Sequence, residues 1–329
     1  VALPSTGIEE YRALKKIIYS GKFVSGKNVS KFEEKFAKHN NVKYACAVNS
    51  GTAALHLINL SLNLKEGDEI IVPPLTFISS ITPLLYNNIT PVFADIDKDT
   101  FCIDPEDVER KITKKTKGIL AVHFAGNSCE MSKLTKISKK YSLFLIEDCA
   151  QSHDTEFKGK KVGSFGIASA FSFYSTKHIT TGEGGIILSN NKKIIEKCKM
   201  LRNHGLVGRN NHKFLGFNYR MSELNAAIGL AQIKKINKII NSKIKISKKI
   251  LLNIDQLNNH VFTSAKLEKN IKHTFFWCPI LLNSKSGYNI KYIIDLFKKN
   301  NIELRYRYFE PLYKQEVFLN YFKNNKKNQ

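Results

Sequence analysis

The sequence contains no long hydrophobic run, and this absence excludes one class of protein at the outset. A helix that spans a bilayer needs about 20 consecutive apolar residues, and no segment of the 329-residue chain approaches that length. The first residues, VALPSTGIEEYRALKK, also lack the apolar core of a signal peptide. We therefore expect a cytoplasmic protein with no membrane partner.

Cysteine is scarce and widely spaced, which argues against disulfide-rich and zinc-binding proteins. The cysteines form no CxxC pair, and none has a histidine nearby at metal-ligand spacing. They are Cys46, Cys102, Cys129, Cys149, Cys198 and Cys278. The pattern predicts buried, reduced thiols and no metal site, in agreement with a reducing compartment.

Acidic residues are few relative to basic ones. The chain has 28 Asp and Glu against 52 Lys and Arg, a formal net charge of +24, so nucleic acid is one candidate partner. The lysines, however, are spread through segments such as KKINKIINSKIKISKK, which lack the interleaved aromatic residues of a single-strand platform. This distribution is typical of solvated helix surfaces. We predict no nucleic-acid partner, although the charge is compatible with a small anionic substrate.

What the sequence does contain is an alternation of short apolar runs and helix-like segments between Tyr44 and about residue 190. Runs such as EIIV, GILAVHF and LFLIED are almost continuously apolar, as expected of strands that are covered on both faces. The pattern predicts an α/β domain with a largely parallel sheet. Functional side chains should then gather at the carboxyl ends of the strands.

A second domain is predicted from a change of pattern near Ile233. Isoleucines at three- and four-residue steps, from Ile233 to Ile244, predict a long connecting helix. After it, HTFFWCPILL is predicted as a strand and YNIKYIIDLFKKN as a helix. We place a large domain at residues 1–235 and a smaller C-terminal domain at residues 236–329.

The first candidate site is NSGTAAL, which follows the strand YACAV. A chain that breaks at Ser50, Gly51 and Thr52 and then enters an Ala- and Leu-rich helix leaves unpaired N–H groups at the helix N-terminus, where the helix dipole favours a phosphate. Ser50 alone is equally consistent with an ordinary N-cap.

Other candidate residues also stand at strand ends. LIEDCAQS ends a strand with Glu147 and Asp148, and a buried carboxylate needs a cation, a metal or another partner to offset its desolvation. FSFYSTKHITTGEGG places Lys177 before a glycine run that lets the backbone approach a ligand; the alternative is an ordinary solvated lysine. Phe77 in VPPLTFISS either covers a flat ligand ring or packs as an ordinary core residue.

These features fit one ligand. A phosphate cradle, a buried carboxylate and a lysine match the phosphate, the protonated ring nitrogen and the aldehyde of pyridoxal phosphate.

The motifs also resemble one known family. NSGTAALHL, GDEIIVPPLTF, IEDCAQSH, FSFYSTKHITTGEGG, LRNHG and GFNYRMSELNAAIG occur in this order, as they do in the DegT/DnrJ/StrS family of nucleotide-sugar aminotransferases, and the resemblance covers roughly residues 1–315. It implies a fold-type-I enzyme of the aspartate aminotransferase superfamily, with a mostly parallel seven-stranded sheet in the large domain and a smaller α+β domain. It also implies pyridoxal 5'-phosphate as cofactor and a homodimer with shared active sites.

The resemblance assigns roles around the cofactor ring. Lys177 matches the lysine that forms the internal aldimine and later carries protons, which requires a lowered pKa. Asp148 matches the carboxylate that keeps the ring nitrogen protonated. Gln151 matches the residue near the phenolic oxygen, and Phe77 matches the aromatic residue stacked over the ring.

The resemblance also assigns the phosphate contacts. Ser50, Gly51, Thr52 and Ser172 are expected at the phosphate. Asn218 is expected to reach the phosphate of the other subunit; the alternative for the segment around it is simple interface packing.

Substrate contacts are expected from Arg220, which would hold a donor carboxylate or a substrate phosphate, and from Tyr313. The sequence departs from the family pattern at Tyr313, where many relatives have a histidine that contacts the sugar. His178 stands where an asparagine is more usual. The LPLP-type segment and final helix of the family are not recognisable, so a truncated small domain is expected.

The activity implied is transamination, in which an amino acid, glutamate in our prediction, donates its amino group to a keto sugar of a nucleoside-diphosphate-linked hexose. Two alternatives are open. Some relatives are sugar dehydratases, in which a histidine replaces the lysine, and a regulatory protein can keep the fold without turnover. Lys177, Asp148 and the phosphate loop together favour the aminotransferase.

Overall fold

The computed structural model describes residues 3–256, 261–264, 267–306 and 310–327. Its helices are α1 (Ile8–Ser20), α2 (Lys27–His39), α3 (Gly51–Ser61), α4 (Thr82–Leu85), α5 (Pro105–Arg110), α6 (Met131–Lys140), α7 (Lys192–Leu201), α8 (Glu223–Gln232), α9 (Ile236–Gln256), α10 (Ile290–Lys299) and α11 (Glu316–Lys327). Its strands are β1 (Tyr44–Val48), β2 (Glu69–Val72), β3 (Thr90–Phe93), β4 (Thr116–Val122), β5 (Phe144–Asp148), β6 (Glu156–Phe157), β7 (Lys160–Lys161), β8 (Ala168–Ser172), β9 (Gly185–Ser189), β10 (Leu206–Val207), β11 (Asn211–His212), β12 (Phe262–Ser264), β13 (Ile271–Lys272) and β14 (Ile280–Leu282).

Seven of these strands form one sheet, in the spatial order β1-β9-β8-β5-β4-β2-β3. Strand β9 runs antiparallel to both of its neighbours, β1 and β8, and the remaining pairs are parallel. The predicted α/β fold with a mostly parallel sheet is therefore confirmed.

The sheet is covered on both faces, and alternate residues of its strands enter different cores. On β4, Leu120 and Val122 join the core that contains residues of α3 and α7. Ile119 and Ala121 join the core that contains residues of α5 and α6. Near β8 and β9, Phe171 enters a third core with α2, α8 and α9. With both faces buried, the strand ends are the part of the sheet that can present polar groups to a ligand.

Strands β4, β5 and β8 end close together at the carboxyl edge of the sheet. Val122 of β4 pairs with Asp148 of β5, and Asp148 pairs with Ala170 of β8. Ser172, two residues further along β8, pairs with Gly185 of β9. This register places Asp148 and Ser172 at the same edge.

The predicted strand HTFFWCPILL is wrong over most of its length. Only Ile280–Leu282 is a strand, paired antiparallel with β12. The preceding residues turn back to the central sheet, where Thr274 donates its N–H to the carbonyl oxygen of Gly126 at 2.9 Å. Phe275 has φ 51°, a left-handed conformation that interrupts an extended chain.

The C-terminal residues also pack on the central sheet. The N–H of Leu312 donates to the carbonyl oxygen of Pro74 at 3.0 Å. On α11, Phe318 is fully buried, with its ring centre 5.9 Å from that of Phe93 on β3. The segment after β2 is therefore fixed from its outer side by the end of the chain.

Candidate active site

Lys177 lies in the turn that follows β8. Its N–H donates to the carbonyl oxygen of Tyr174 at 2.9 Å, and its Nζ lies 4.5 Å from the centre of the Phe276 ring. Burial lowers the pKa of Lys177 to about 8, and the nearby Asp148 limits the decrease. A substantial fraction of this amine is therefore neutral near pH 8 and able to act as a nucleophile or a base. The prediction of a lysine with a lowered pKa agrees with this geometry, and that of an ordinary solvated lysine does not.

Asp148 ends β5 and is 4% exposed. Its Oδ1 accepts the N–H of Ala150 at 3.0 Å, and its Oδ2 accepts the hydroxyl of Ser80 at 2.7 Å. A carboxylate has about four acceptor positions, so these two bonds leave capacity for one more donor. Asp148 can therefore bind a protonated ring nitrogen.

Glu147, the other acid at this strand end, has a different role. It is fully buried and accepts the ring N–H of His123 at 3.1 Å and the backbone N–H groups of Gly163, Phe165 and Gly166 at 2.6–2.8 Å. Burial raises the pKa of Glu147, but the bonds from His123 and the backbone outweigh burial and hold the pKa below its usual range. Glu147 fixes the 163–166 loop, which leaves Asp148 for the ligand.

One group of described residues, His123, Glu147 and Cys149, brings three possible metal ligands together. Hydrogen bonds explain why His123 and Glu147 lie together without a metal. The Nδ1 of His123 accepts the N–H of Cys129 at 3.2 Å, so its Nε2 carries the proton that goes to Glu147. The group gives no support for a metal, and the absence of a metal site stays a prediction.

The start of α3 carries three residues of the predicted phosphate cradle, Ser50, Gly51 and Thr52. Ser50 is its N-cap, with the hydroxyl oxygen accepting the N–H of Ala53 at 3.1 Å. A Cβ on Gly51 would lie 2.9 Å from the Cβ of Ser172, so β8 and the helix N-terminus are in close contact at this point. Thr52 follows in the first turn and is partly exposed. The N-cap interpretation of Ser50 is confirmed, and it is compatible with a phosphate at the same helix end.

Gln151 and Phe77 flank the same edge of the sheet. The side-chain oxygen of Gln151 accepts the N–H of Ala125 at 2.8 Å, which leaves its amide NH₂ as a donor. Phe77 is 59% exposed, so the interpretation of this ring as a core residue is wrong. The exposed ring is available to cover a flat ligand.

Asn218 and Arg220 lie beside the cradle, next to the end of β1. Asn218 is exposed, and its carbonyl oxygen accepts the side-chain NH₂ of Asn49 at 3.4 Å. Arg220 is bridged to Val48 on the backbone, and its Nη1 donates to the side-chain oxygen of Asn203 at 2.7 Å. Both are close to the phosphate end of the site, and their predicted ligands stay predictions.

Tyr313 lies in the C-terminal segment that packs on β3. It is 40% exposed, its ring centre is 5.5 Å from that of Phe93, and it lines a cavity of about 570 Å³ together with Pro74, Leu75 and Phe93. No contact between Tyr313 and Lys177 is found among the described residues. Its contact with the sugar stays a prediction.

Sequence reasoning missed two residues of the site. Ser80, which donates to Asp148, stands in the quoted segment VPPLTFISS, and a hydroxyl three residues after Phe77 is the signal that was available. Phe276, whose ring faces the Nζ of Lys177, stands in HTFFWCPILL. It was missed because this segment was predicted to be one continuous strand.

Three buried histidines, His153, His178 and His273, lie near one another, with His153 and His178 close to Lys177. His178 donates from Nε2 to the carbonyl oxygen of Thr274 at 3.0 Å, and its ring centre is 5.7 Å from that of His153. Neither ring nitrogen of His153 has a hydrogen-bond partner in the described part of the chain. Burial lowers the pKa of His178 and of His273 to about 3 and that of His153 well below its usual value.

We expect the protein to lose stability as the pH falls from about 7 to 5. A histidine with a depressed folded-state pKa binds its proton mainly after unfolding, so unfolding becomes easier below the unfolded pKa of about 6.5, by about 2 kcal/mol per histidine at pH 5. In His153→Phe the free energy of unfolding should fall less over this pH range, by about that amount. Urea titrations at each pH measure the difference, and an unchanged pH dependence would show that His153 is not held neutral.

Together these side chains fit pyridoxal phosphate. Gly51 and Ser172 meet at a helix N-terminus that suits a phosphate, Asp148 has a free acceptor position for a ring nitrogen, and Lys177 supplies a partly neutral amine. The exposed ring of Phe77 supplies an apolar surface for a pyridine ring.

Comparisons with known proteins agree with this assignment. Among the relatives named GDP-perosamine synthase, one from Escherichia coli O157:H7 is 42% identical over 78% of this chain and 70% of its own length. One from Vibrio cholerae is 39% identical over 92% of this chain and 82% of its own length. A solved Helicobacter pylori aminotransferase involved in pseudoaminic acid biosynthesis is 32% identical, covers 98% of this chain and 87% of its own, and superposes with a TM-score of 0.89. The sequence profile of the DegT/DnrJ/EryC1/StrS aminotransferase family matches residues 4–329. The chain, which shares the fold-type-I architecture of these enzymes, therefore belongs to the DegT/DnrJ/EryC1/StrS aminotransferase family.

Proposed function

We propose that this chain transfers an amino group from glutamate to the keto group of a sugar attached to a nucleoside diphosphate. Its class follows from its relatives: it is a pyridoxal-phosphate-dependent sugar aminotransferase. The observation that carries the proposal is Lys177, with a pKa of about 8, next to the buried Asp148 at the carboxyl edge of the sheet.

Each residue of the site has a defined task in this reaction. When bound, pyridoxal phosphate supplies an aldehyde that joins amines and a ring that withdraws electrons. Lys177 would hold the cofactor through Nζ and, when free, would move a proton to and from the substrate carbon. Asp148 would keep a proton on the ring nitrogen. Phe77 would cover the ring, and the amide NH₂ of Gln151 would donate to its oxygen substituent.

The phosphate end of the site would be held by residues from two elements. Ser50, Gly51 and Thr52 offer N–H and hydroxyl groups at the N-terminus of α3, and Ser172 adds a hydroxyl from β8. The helix N-terminus attracts the phosphate charge without a cationic side chain.

The relatives guide the choice of substrate. Three of them are named GDP-perosamine synthase, so a GDP-linked keto sugar is the first acceptor to test. Arg220 and Tyr313 are the proposed contacts for the carboxylate or phosphate and for the sugar. The net charge of +24 would favour the approach of a diphosphate.

Lys177 argues against the two other functions. A dehydratase of this family has a histidine in place of the lysine, whereas this chain has Lys177 with histidine one position later. A regulatory protein has no chemical need for a partly neutral lysine beside a buried carboxylate. We therefore favour transamination over both.

The direct test of transfer uses [¹⁵N]glutamate, the cofactor and a GDP-linked keto sugar. The proposed reaction moves the label into the sugar nucleotide, which mass spectrometry detects as an amino sugar. A product that has lost a hydroxyl group without gaining the label would identify a dehydratase instead.

We further propose a homodimer with shared active sites, in which Asn218 of one subunit reaches the phosphate of the other. The exposed position of Asn218 beside the cradle supports this arrangement. A single subunit would then hold only part of the phosphate site.

The shared site predicts complementation between two inactive variants. Mixed dimers of Lys177→Ala and Asn218→Ala have one intact site, made of Lys177 from one chain and Asn218 from the other. An equal mixture after dissociation and reassociation should recover about one quarter of wild-type activity, because half of the dimers are mixed and each has one working site. If Asn218→Ala is inactive and the mixture recovers nothing, Asn218 acts within its own subunit.

The cellular location also stays a proposal. No helix in the part of the chain that the structure describes is long and apolar enough to cross a membrane. All six cysteines are free thiols, which supports a reducing compartment. We propose the cytoplasm and no nucleic-acid partner; a titration with duplex DNA at low and high salt would contradict the latter if salt-sensitive binding appeared.

A further inference from the structure

The most informative unassigned feature is a pair of buried hydroxyls behind Asp148. Ser80 and Thr76 are 5% and 1% exposed. The hydroxyl of Ser80 donates to Oδ2 of Asp148 at 2.7 Å, and the oxygens of Ser80 and Thr76 are also 2.7 Å apart. The three side chains form one continuous hydrogen-bonded row.

The direction of this row follows from the chemistry of its end. An ionised carboxylate only accepts hydrogen bonds, so the single hydroxyl proton of Ser80 goes to Asp148. Ser80 is then an acceptor towards Thr76, and Thr76 must donate. A donor that itself accepts a hydrogen bond is polarised, which strengthens its bond to the charged group.

The backbone holds the two hydroxyls in place. Ser80 ends a 3₁₀ turn at Ile78–Ser80, in which its N–H donates to the carbonyl oxygen of Phe77 at 3.0 Å. Pro74, just before the turn, accepts the N–H of Leu312. One short segment therefore places hydroxyls on its buried side and the Phe77 ring on its open side.

We propose that Thr76 and Ser80 are positioning residues that fix the orientation of the Asp148 carboxylate and determine which of its oxygens faces the cofactor ring. With Oδ2 held by Ser80 and Oδ1 bonded to Ala150, the carboxylate cannot rotate without losing both bonds. Without the Ser80 hydroxyl, Oδ2 loses the donor that holds it, and the carboxylate of Asp148 is free to rotate away from the ring. This inference rests on the proposed role of Asp148 at the ring nitrogen.

The test measures cofactor binding rather than turnover. Apo-protein is titrated with pyridoxal phosphate, and the visible absorbance band of the bound cofactor is then followed as a function of pH. We expect Ser80→Ala to bind the cofactor roughly 10- to 100-fold more weakly, as for a lost hydrogen bond to a charged group. The pH midpoint of the band should move in the same direction as in Asp148→Asn, but less.

Three further variants separate positioning from stability. Ser80→Thr keeps the hydroxyl, so its cofactor affinity and pH midpoint should match those of the wild type. Ser79→Ala lies in the same turn but has no hydrogen bond to Asp148, so it should change neither the affinity nor the midpoint. Thr76→Val keeps the shape and removes only the donor to Ser80, so its shifts should be smaller than those of Ser80→Ala and in the same direction. It serves as the test if Ser80→Ala does not fold.

The outcomes distinguish this inference from the proposed function. If the wild-type apo-protein does not bind pyridoxal phosphate, the proposed function itself fails. If it binds, and both Ser80→Ala and Thr76→Val match the wild type in affinity and in pH midpoint, the positioning role is overturned while the function stands. A lowered melting temperature with an unchanged pH midpoint would also overturn it, because only structural support would have been lost.

Discussion

Replacing Lys177 with alanine should lower the rate of amino transfer by roughly 10⁴-fold, the upper end of the usual contribution of a general acid–base group. The variant would lose both the amine proposed to hold the cofactor and the group proposed to move the proton at the substrate carbon. Single-turnover rates with glutamate measure the loss. Lys193→Ala, an exposed lysine on α7, is the matched control and should react like the wild type.

The pH dependence of cofactor uptake tests the same lysine without turnover. The pKa of Lys177 is lowered to about 8 by burial, so its neutral, nucleophilic fraction increases as the pH rises through about 8 and then levels off. The rate at which apo-protein captures pyridoxal phosphate should follow this curve. A rate that keeps rising towards pH 10, or full activity in Lys177→Ala, would contradict the assignment.

Replacing Asp148 with asparagine should lower turnover by roughly 10²- to 10³-fold, as is typical when an electrostatic contact to developing charge is removed. Asparagine keeps the shape of the side chain and an oxygen for Ser80. It removes the negative charge that would hold a proton on the ring nitrogen, so the ring withdraws electrons less well. The loss should appear in kcat for both half-reactions.

Asp295→Asn, an exposed change on α10, controls for the chemistry of the substitution. Cofactor affinity and melting temperature should be measured beside kcat, so that a loss of the cofactor or of the fold is recognised. Equal kcat values for Asp148→Asn and the wild type, both saturated with cofactor, would mean that Asp148 does not act on the ring nitrogen.

The approach of Lys177 to Asp148 was predictable from the sequence because both residues stand at strand ends. Asp148 ends an apolar strand and Lys177 follows another, and in a parallel sheet such strand ends lie at one edge. The N-cap role of Ser50 was also predictable, since a cap acts on the next few residues. The strand runs themselves were recognisable because two buried faces require continuous apolar sequence.

Other parts of the site depend on contacts between distant segments, which a local pattern does not encode. Phe276 reaches Lys177 because the chain after β13 turns back with a left-handed residue at Phe275. Ser80 meets Asp148 across 68 positions of sequence. The apolar run 273–282 resembles a strand, but in the fold Thr274 pairs with Gly126 and Phe275 is left-handed.

The sequence also could not predict which of Glu147 and Asp148 has its carboxylate satisfied by hydrogen bonds within the protein. Both acids stand at the end of one buried strand, and the sequence indicates only that each needs a partner. The partners of Glu147, namely His123 and the 163–166 loop, become neighbours only in the folded chain. Asp148, whose carboxylate accepts no hydrogen bond from these partners, is therefore the acid proposed to face the cofactor ring.

The central claim, that this chain passes an amino group from an amino acid to a sugar nucleotide, is tested most directly by one absorbance experiment. Cofactor-loaded protein is mixed first with glutamate and then, after removal of excess glutamate, with a GDP-linked keto sugar. We predict that glutamate abolishes the visible band of the lysine-bound cofactor and that the keto sugar restores it. A band that glutamate leaves unchanged, with other amino acids equally inert, would contradict the account.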